Sequence, residues 1–493
     1  MPTHGDGEYE LYIYRWVILA LFSSVNLCNA FLWITFAPIS DLTATFIGGS
    51  VGNTTAVNFL ATVFLILYLP GSFVGVYVNK RWGLKATVVV GSLLNLVGAL
   101  IRFAGAFAKD HTSSPFVFTL LLLGQCVASI CQPVVLNIAA TVANEWFPIS
   151  ERDIATTVGS MFNPIGCAVG QFIPALLVSQ NASGTVSGMT TLLGFELGLC
   201  AVSLACVVAF FQASPPTPPS PSAAMRSVKS QKESERRSTS QMDSYTTIPR
   251  GQREDRRHSE ASNARSDRHS IALTVIDDYA TFKREIRDLF CDWNYVLLFT
   301  TLSVAVGLFN VLVTLTFQLI QPFGYSNDDA GLFGTLFGVS GLFGAALGCW
   351  VLKRYKRYKL TIKVYIYLCL VSVLIFVFML RPDNYLPLLI SFLLMGFAIL
   401  PLLPILMETC AECSYPISED VSAGCILVGA SYTGVAFIFA LQVLIGLPPL
   451  GPPPLTPSNL FLLGASHVFI FIYYIIVYTY IFFMSYLFQY PIN

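Results

Sequence analysis

Long apolar stretches alternate with short polar segments along most of the chain. Twelve of these stretches approach or exceed the roughly 20 residues that a helix needs to cross a bilayer. They cover residues 14–37, 56–79, 84–107, 115–142, 154–178, 189–212, 293–320, 330–352, 360–380, 384–407, 421–447 and 459–488. Unbroken runs of this length indicate helices, because the strands of a membrane barrel alternate over segments of only about ten residues. The pattern therefore predicts an all-α membrane protein with six spanning helices, a polar insert and six more spanning helices.

The composition agrees with a protein that lies in lipid. Hydrophobic residues make up 55% of the 493 residues and charged residues only 11%, whereas a soluble chain carries about 25% charged residues. The charge is also concentrated, since 14 of the 28 basic and 11 of the 28 acidic residues lie between Ser214 and Phe290. This composition excludes an ordinary soluble enzyme, and the net charge of zero gives no basis for a nucleic-acid partner.

The cysteines indicate neither a disulfide framework nor a metal centre. Most of the 12 cysteines fall inside apolar stretches, where cysteine behaves as a small hydrophobic residue. Cys410 and Cys413 form a Cys-x-x-Cys motif, but no second pair and no histidine ligands accompany it. We therefore expect no metal site and no cofactor.

Basic residues predict the orientation in the membrane, because loops on the cytosolic side carry an excess of Lys and Arg. With a cytosolic N-terminus, only Lys109 and Arg381 fall in outer loops. Both Asn-x-Ser/Thr sequons, at Asn53 and Asn181, also fall in outer loops and are predicted glycosylation sites. We expect cytosolic N- and C-termini and a location in the plasma membrane. The cytosolic side then carries eleven basic residues: Arg15, Lys80, Arg81, Lys85, Arg152, Lys353, Arg354, Lys356, Arg357, Lys359 and Lys363.

The two sets of six stretches resemble each other. Pro148-Ile-Ser-Glu151 follows the fourth stretch, and Pro416-Ile-Ser-Glu419 follows the tenth, 268 residues later. Lys80-Arg81 and Lys353-Arg354 follow the second and eighth stretches at a similar offset of 273 residues. Equivalent motifs at nearly equal offsets predict a duplicated six-helix unit. Parallel repeats of this kind are typical of the major facilitator fold, with the substrate site between the halves.

Residues 214–290 interrupt the two bundles. Their Pro-, Ser-, Arg- and Glu-rich composition predicts a disordered cytosolic linker. An amphipathic pattern from about residue 276 to 292 predicts that the linker ends in a helix lying on the membrane surface. Arg-Arg-Ser-Thr and Arg-Arg-His-Ser motifs make basophilic kinases candidate partners of the linker. The predicted domains are therefore an N-terminal bundle (1–213), the linker (214–290) and a C-terminal bundle (291–493).

Charged residues in or beside the spanning helices need an explanation, because an ionised side chain at a helix centre costs roughly 2.5–3.5 kcal/mol. Arg102 lies near one end of the third stretch, and Glu196 lies about two turns into the sixth. If these helices are neighbours, a structural Arg102–Glu196 pair lowers that cost; a proton-coupling role for Glu196 is the alternative. Glu408 and Glu412 lie one turn apart at the end of the tenth stretch. They are expected either to form a gate with the cytosolic basic loops or simply to lie in water.

Three side chains are candidates for binding a substrate. Trp33, Gln132 and Asn310 lie on the first, fourth and seventh predicted helices, which line the cavity in the major facilitator fold. The face of a tryptophan ring binds a cation or stacks on a flat ring. The amides orient a ligand without placing a charge in lipid. Ordinary packing remains the alternative role of Trp33.

Four segments together are typical of one transporter family. They are Asn29-Ala-Phe-Leu-Trp-Ile-Thr-Phe-Ala-Pro38, Gly124-Gln-Cys-Val-Ala-Ser-Ile-Cys-Gln132, Asn163-Pro-Ile-Gly166 and Glu412-Cys-Ser-Tyr-Pro416. They resemble segments of the feline leukaemia virus subgroup C receptor-related transporters, solute carrier family 49. The resemblance implies a major facilitator transporter, and the family is associated with choline, ethanolamine or haem movement. In its choline-carrying members an aromatic cage holds the quaternary ammonium; Trp33 and Gln132 match two cage positions. Asn310 stands where the cage has a tyrosine, and Ser431 where it has a glutamine, so the resemblance places all four residues in the site.

These observations predict a transporter that moves a small organic solute by alternating access. The alternative from another class is a transporter-derived receptor or nutrient sensor that signals through residues 214–290. An integral-membrane enzyme is not expected, because no paired catalytic carboxylates, histidine box or nucleophile motif occurs at membrane depth.

Overall fold

The computed structural model describes residues 11–48, 54–111, 113–181, 185–217, 283–355, 358–405, 414, 417, 419–448 and 456–466. Nearly all of these residues are helical, as the long apolar stretches predict, and the prediction of an all-α membrane protein is confirmed. The described residues also form a short antiparallel β-hairpin, in which Ser179 pairs with Ser187 and Gln180 with Val186.

The described residues of the first half form eight α-helices, a short 3-10 helix (Lys109–His111) and the hairpin. Besides the spanning helices, it has two short helices, of seven and eight residues, that the apolar pattern did not predict. In order, the elements are α1 (Tyr14–Ile34), α2 (Ser40–Phe46), α3 (Thr55–Ile66), α4 (Tyr68–Phe107), α5 (Ser114–Leu136), α6 (Ala139–Trp146), α7 (Arg152–Leu177), β1 (Ser179–Gln180), β2 (Val186–Ser187) and α8 (Met189–Phe210).

The second half is built from long helices, and residues 283–291 and 457–466 are also helical. The helix over 283–291 falls where the sequence predicts a surface helix. In it Leu289 is buried, and the Phe290 ring lies 5.1 Å from the ring of Phe299. The long elements are α9 (Trp293–Ile320), α10 (Asn327–Tyr355), α11 (Tyr358–Met379), α12 (Tyr385–Ile399) and α13 (Glu419–Ile445).

Among the described residues, ten helical stretches are long and apolar enough to cross a membrane. One of them, Thr55–Phe107, makes two crossings because the chain reverses at Gly83. Gly83 has a φ of +80°, a left-handed conformation that favours glycine. Residues 61 and 102, on opposite sides of this reversal, both bond to the same end of α1. Eleven of the twelve predicted spans are therefore helices, and most of the twelfth lies outside the described residues.

The bundle has two distinct ends. At one end, which we call the basic end, Arg15 Nη2 lies 3.1 Å from Glu151 Oε2, so the starts of α1 and α7 are joined. Lys80 and Arg81 lie at this end, beside the reversal at Gly83. Glu151 belongs to the first copy of the repeated motif; Pro416 and Ser418 of the second copy lie outside the described residues. The opposite end carries α2, the hairpin and the start of α3.

The two halves pack most closely along α7 and α10. A Cβ atom added to Gly331 would lie 2.5 Å from the Ala175 Cβ, and one added to Gly338 would lie 2.8 Å from the Ala168 Cβ. These glycines let the two helices approach closely, as small residues do between membrane helices. Residues 218–282 of the predicted linker lie outside the described part of the chain, and the domain boundaries stay a prediction.

Candidate functional site

A cavity of about 680 Å³ of empty space, part of it open to solvent, lies between the two halves. None of the described lining residues carries a charge. They are Trp33, Leu65, Tyr68, Gln132, Leu136, Asn163, Pro164, Ala305, Val306, Phe309, Asn310, Ile399, Leu400, Leu402, Leu403, Leu427 and Ser431.

The structure brings all four predicted substrate-binding residues to this one cavity. Trp33 comes from the last turn of α1 and Gln132 from α5, while Asn310 comes from the middle of α9 and Ser431 from α13. Each of these side chains is at least 95% buried. Four helices, two from each half, therefore contribute to the same site.

Trp33 offers the cavity an aromatic face rather than a hydrogen-bond donor. Its indole Nε1–H donates to the Ala61 carbonyl oxygen at 3.0 Å, so the only donor of the ring is already bonded. The Phe64 ring lies 6.5 Å from the indole at an interplanar angle of 30°. These contacts hold the indole from the side of α3. What Trp33 can supply to a solute is its π face.

The hydroxyl groups beside Trp33 are also bonded within the protein. Tyr68 donates to Asn137 Oδ1 at 2.9 Å, and Asn137 donates to Ser72 Oγ at 3.3 Å. Ser431 donates to the Leu427 carbonyl oxygen in its own helix at 2.8 Å. These hydroxyls retain acceptor capacity, but their protons are engaged.

Two amide atoms at the cavity have no protein partner among the described residues. They are the acceptor Oε1 of Gln132 and the donor Nδ2 of Asn163, on side chains that are 5% and 8% exposed. A buried polar group without a partner costs about 1–3 kcal/mol, so a solute that satisfies both atoms gains affinity. From the sequence, Asn163 is named only within a family-like segment, and this role is missed. The signal is an amide within an otherwise apolar stretch of a spanning helix.

Arg102 and Glu196 form an ion pair in the first half, away from the cavity lining. Arg102 Nη2 lies 3.0 Å from Glu196 Oε2, and the two side chains are 0% and 1% exposed. The helices that carry them are neighbours, as the structural alternative requires.

Of the other predicted site residues that the structure describes, none lines the cavity. Glu408 and Glu412 lie outside the described residues, as does Asn53 of the first sequon. Asn181 is exposed between β1 and β2, at the end opposite the basic end. Its position there is accessible, as a glycosylation site requires.

The halves are joined across the end opposite the basic end, which we call the sealed end. Asn58 Nδ2 donates to Gln318 Oε1 at 2.9 Å, and Gln318 Nε2 donates back to Asn58 Oδ1. Gln171 Nε2 donates to the Val313 carbonyl oxygen at 2.7 Å. The cavity instead extends toward the basic end, where it is lined by Leu136, the last residue of α5.

Comparison with known proteins agrees with this architecture. The family model described as Major Facilitator Superfamily matches residues 22–437. Solute carrier family 49 member A3 of Xenopus tropicalis is 28% identical over 90% of this chain and 81% of its own length. The choline/ethanolamine transporter FLVCR2 of Homo sapiens is 26% identical over 86% of this chain and 70% of its own length.

A solved structure shows the same fold at low sequence identity. A D-xylose-proton symporter superimposes with a TM-score of 0.64 at 13% identity, covering 94% of this chain and 97% of its own. Such a likeness concerns the fold and not the solute. The fold, the family model and the transporter names of the relatives identify a membrane transporter rather than an enzyme. This integral, multi-pass membrane protein therefore belongs to the major facilitator superfamily, and relatives in solute carrier family 49 resemble it over most of its length.

Proposed function

We propose that the protein moves a small organic solute by alternating access and binds it in the cavity between the halves. The convergence of Trp33, Gln132, Asn310 and Ser431 on one cavity carries this proposal. Because both halves contribute side chains, a movement of one half against the other changes the access to a site that stays near the middle of the bundle.

The first candidate solute is a choline-like organic cation. A weakly hydrated cation binds the face of an aromatic ring, and Trp33 presents such a face. The amides of Gln132 and Asn163 supply an acceptor and a donor, which a hydroxyl group satisfies together. The name choline/ethanolamine transporter of the relative FLVCR2 supports the same class. Haem has less support, because the lining residues that the structure describes include no histidine, cysteine or methionine to hold its iron.

The arrangement of the two ends supports an orientation and a conformational state. The basic end faces the cytosol by the positive-inside rule, so the sealed end faces outward and the exposed Asn181 is available for glycosylation. The Asn58–Gln318 bonds then close the outer side, while the cavity extends toward the cytosol. We assign the structure to an inward-facing state in the plasma membrane.

Uptake of labelled choline tests the proposal. In proteoliposomes, Trp33→Leu should reduce uptake about tenfold or more, because it removes a desolvated cation–π contact of roughly 2 kcal/mol. Trp33→Phe, which keeps an aromatic face, should retain part of the uptake. Trp350→Leu is the matched control, since Trp350 is 58% exposed and does not line the cavity.

Other outcomes would favour other functions. If the wild-type protein takes up no choline, ethanolamine or haem, a comparison of metabolites in cells with and without the protein identifies a different solute. Saturable binding without uptake would favour the receptor alternative. Normal uptake by Trp33→Leu would contradict the role of the indole face.

A further inference from the structure

The Arg102–Glu196 pair makes more contacts than two buried charges need to neutralise each other. A buried ion pair contributes little net stability, and apolar residues of similar volume often replace it without loss. The groups that the two side chains contact beyond each other therefore indicate what the pair does.

Both side chains reach the end of α1 that carries Trp33. Arg102 Nη1 donates to the Leu32 carbonyl oxygen at 3.0 Å, and the Thr35 hydroxyl bonds to Glu196 Oε1. The Arg102 guanidinium carbon also lies 4.8 Å from the centre of the Phe36 ring. The pair thus holds the residue directly before Trp33 and the second residue after it.

This end of the helix needs such contacts. The last four carbonyl groups of a helix have no partner within it, and α1 ends at Ile34, so Leu32 carries one of them. A cation near a helix C-terminus also interacts favourably with the helix dipole. Arg102 supplies both the donor and the charge, and Glu196 keeps that charge paired although both side chains are fully buried.

We infer that the Arg102–Glu196 pair positions the Trp33 indole face for the solute, acting through Leu32 and Thr35. The inference rests on the proposed function, because it requires that Trp33 contact the solute. Arg102, Glu196 and Thr35 are then positioning residues. Their contacts fix the backbone on both sides of Trp33, while the bond to Ala61 fixes the ring itself.

Thr35→Val tests this inference without removing a buried charge. The variant keeps the volume and loses the hydroxyl bond to Glu196, together with a bond of 2.7 Å to the Phe31 carbonyl oxygen. We expect the Kd of tetramethylammonium, a probe that needs only the aromatic face, to rise about fivefold, because the backbone beside the indole loses hydrogen bonding that holds it in place. Thr35→Ser should restore the wild-type Kd.

Thr301→Val is the matched control. Thr301 is equally buried and donates to the carbonyl oxygen four residues earlier, Leu297, at 2.8 Å. It does not line the cavity, so the Kd should not change. The thermal midpoint of each variant shows whether it folds.

Combining Thr35→Val with Trp33→Leu distinguishes positioning of the indole from a general effect on the protein. In Trp33→Leu, which lacks the indole face, Thr35→Val should cause no further rise in Kd. An equal rise in both backgrounds, or no rise in the wild-type background, would overturn the inference. If Trp33→Leu itself leaves the Kd unchanged, the proposed function of Trp33 fails instead, and the two failures are distinct.

Discussion

The two halves of the molecule share a topology but stabilise their interiors differently. The buried charged residues that the structure describes, Arg102 and Glu196, both lie in the first half. That half also holds buried amides, such as Asn29, which donates to Asn95 Oδ1 at 2.8 Å and to the Ala128 carbonyl oxygen at 2.9 Å. In the described part of the second half, the buried polar residues are hydroxyl- and amide-bearing only.

The second half relies on apolar and aromatic packing. Phe333 is fully buried, and its ring lies 5.2 Å from the rings of both Tyr385 and Phe392. Such contacts are less directional than hydrogen bonds to charged groups, which restrict geometry more strongly. The difference teaches why we propose that the first half holds Trp33 precisely for the solute, while the more apolar second half moves against it.

Removal of one buried charge should lower the stability of the first half more than any other single substitution. Glu196→Leu leaves Arg102 buried without its partner, which costs about 3–5 kcal/mol. We expect a large fall in the thermal midpoint of the purified protein, measured with and without the substitution.

The double variant Arg102→Leu with Glu196→Leu is the control for this effect. Because it leaves no uncompensated charge, it should recover most of the lost stability while binding tetramethylammonium more weakly than the wild type. A double variant as unstable as Glu196→Leu would show that the pair is required for the fold itself.

The second half should instead be most sensitive where helices approach closely. A Cβ atom at Gly396 would lie 1.9 Å from the Phe337 carbonyl oxygen, so Gly396→Ala forces α10 and α12 apart. Overpacking of this kind costs about 1–3 kcal/mol. Gly198→Ala is the control, since no atom lies within 4 Å of a Cβ at that exposed position of α8. Equal thermal midpoints for both variants would contradict the close-packing argument.

The apolar pattern predicted the crossings well because the thickness of a bilayer sets the length of a spanning helix. The short helices α2 and α6 were missed, since seven or eight residues carry too little periodicity. The convergence of Trp33, Gln132 and Asn310 follows from residue type on helices that meet between the halves; Ser431 was placed there by the family resemblance alone.

The sequence alone does not show which polar groups of these residues are free to bind a solute. The Trp33 donor is bonded to Ala61, 28 residues away, and no local pattern encodes that contact. Asn163 was not named as a candidate for the site, although it lies on α7 beside Pro164, through which the helix continues. Contacts between distant helices decide such details, and a single sequence does not show them.

The smallest predicted effect concerns the contact between the halves at the sealed end. Asp41 of α2 lies outside the spanning helices, and burial raises the pKa of its carboxyl, although hydrogen bonds from the Leu42 backbone and the Asn327 side chain oppose the shift. A group whose pKa is raised in the folded state stabilises that state below its unfolded pKa, and this contribution is lost as the pH rises through the folded pKa. At neutral pH the ionised carboxylate is therefore unfavourable.

Asp41→Asn should raise the thermal midpoint by a few degrees at pH 7, and this advantage should shrink toward pH 4. A constant difference for Asp41→Asn would mean that the carboxylate is not penalised by burial, and that the halves meet there through water rather than through a desolvated contact.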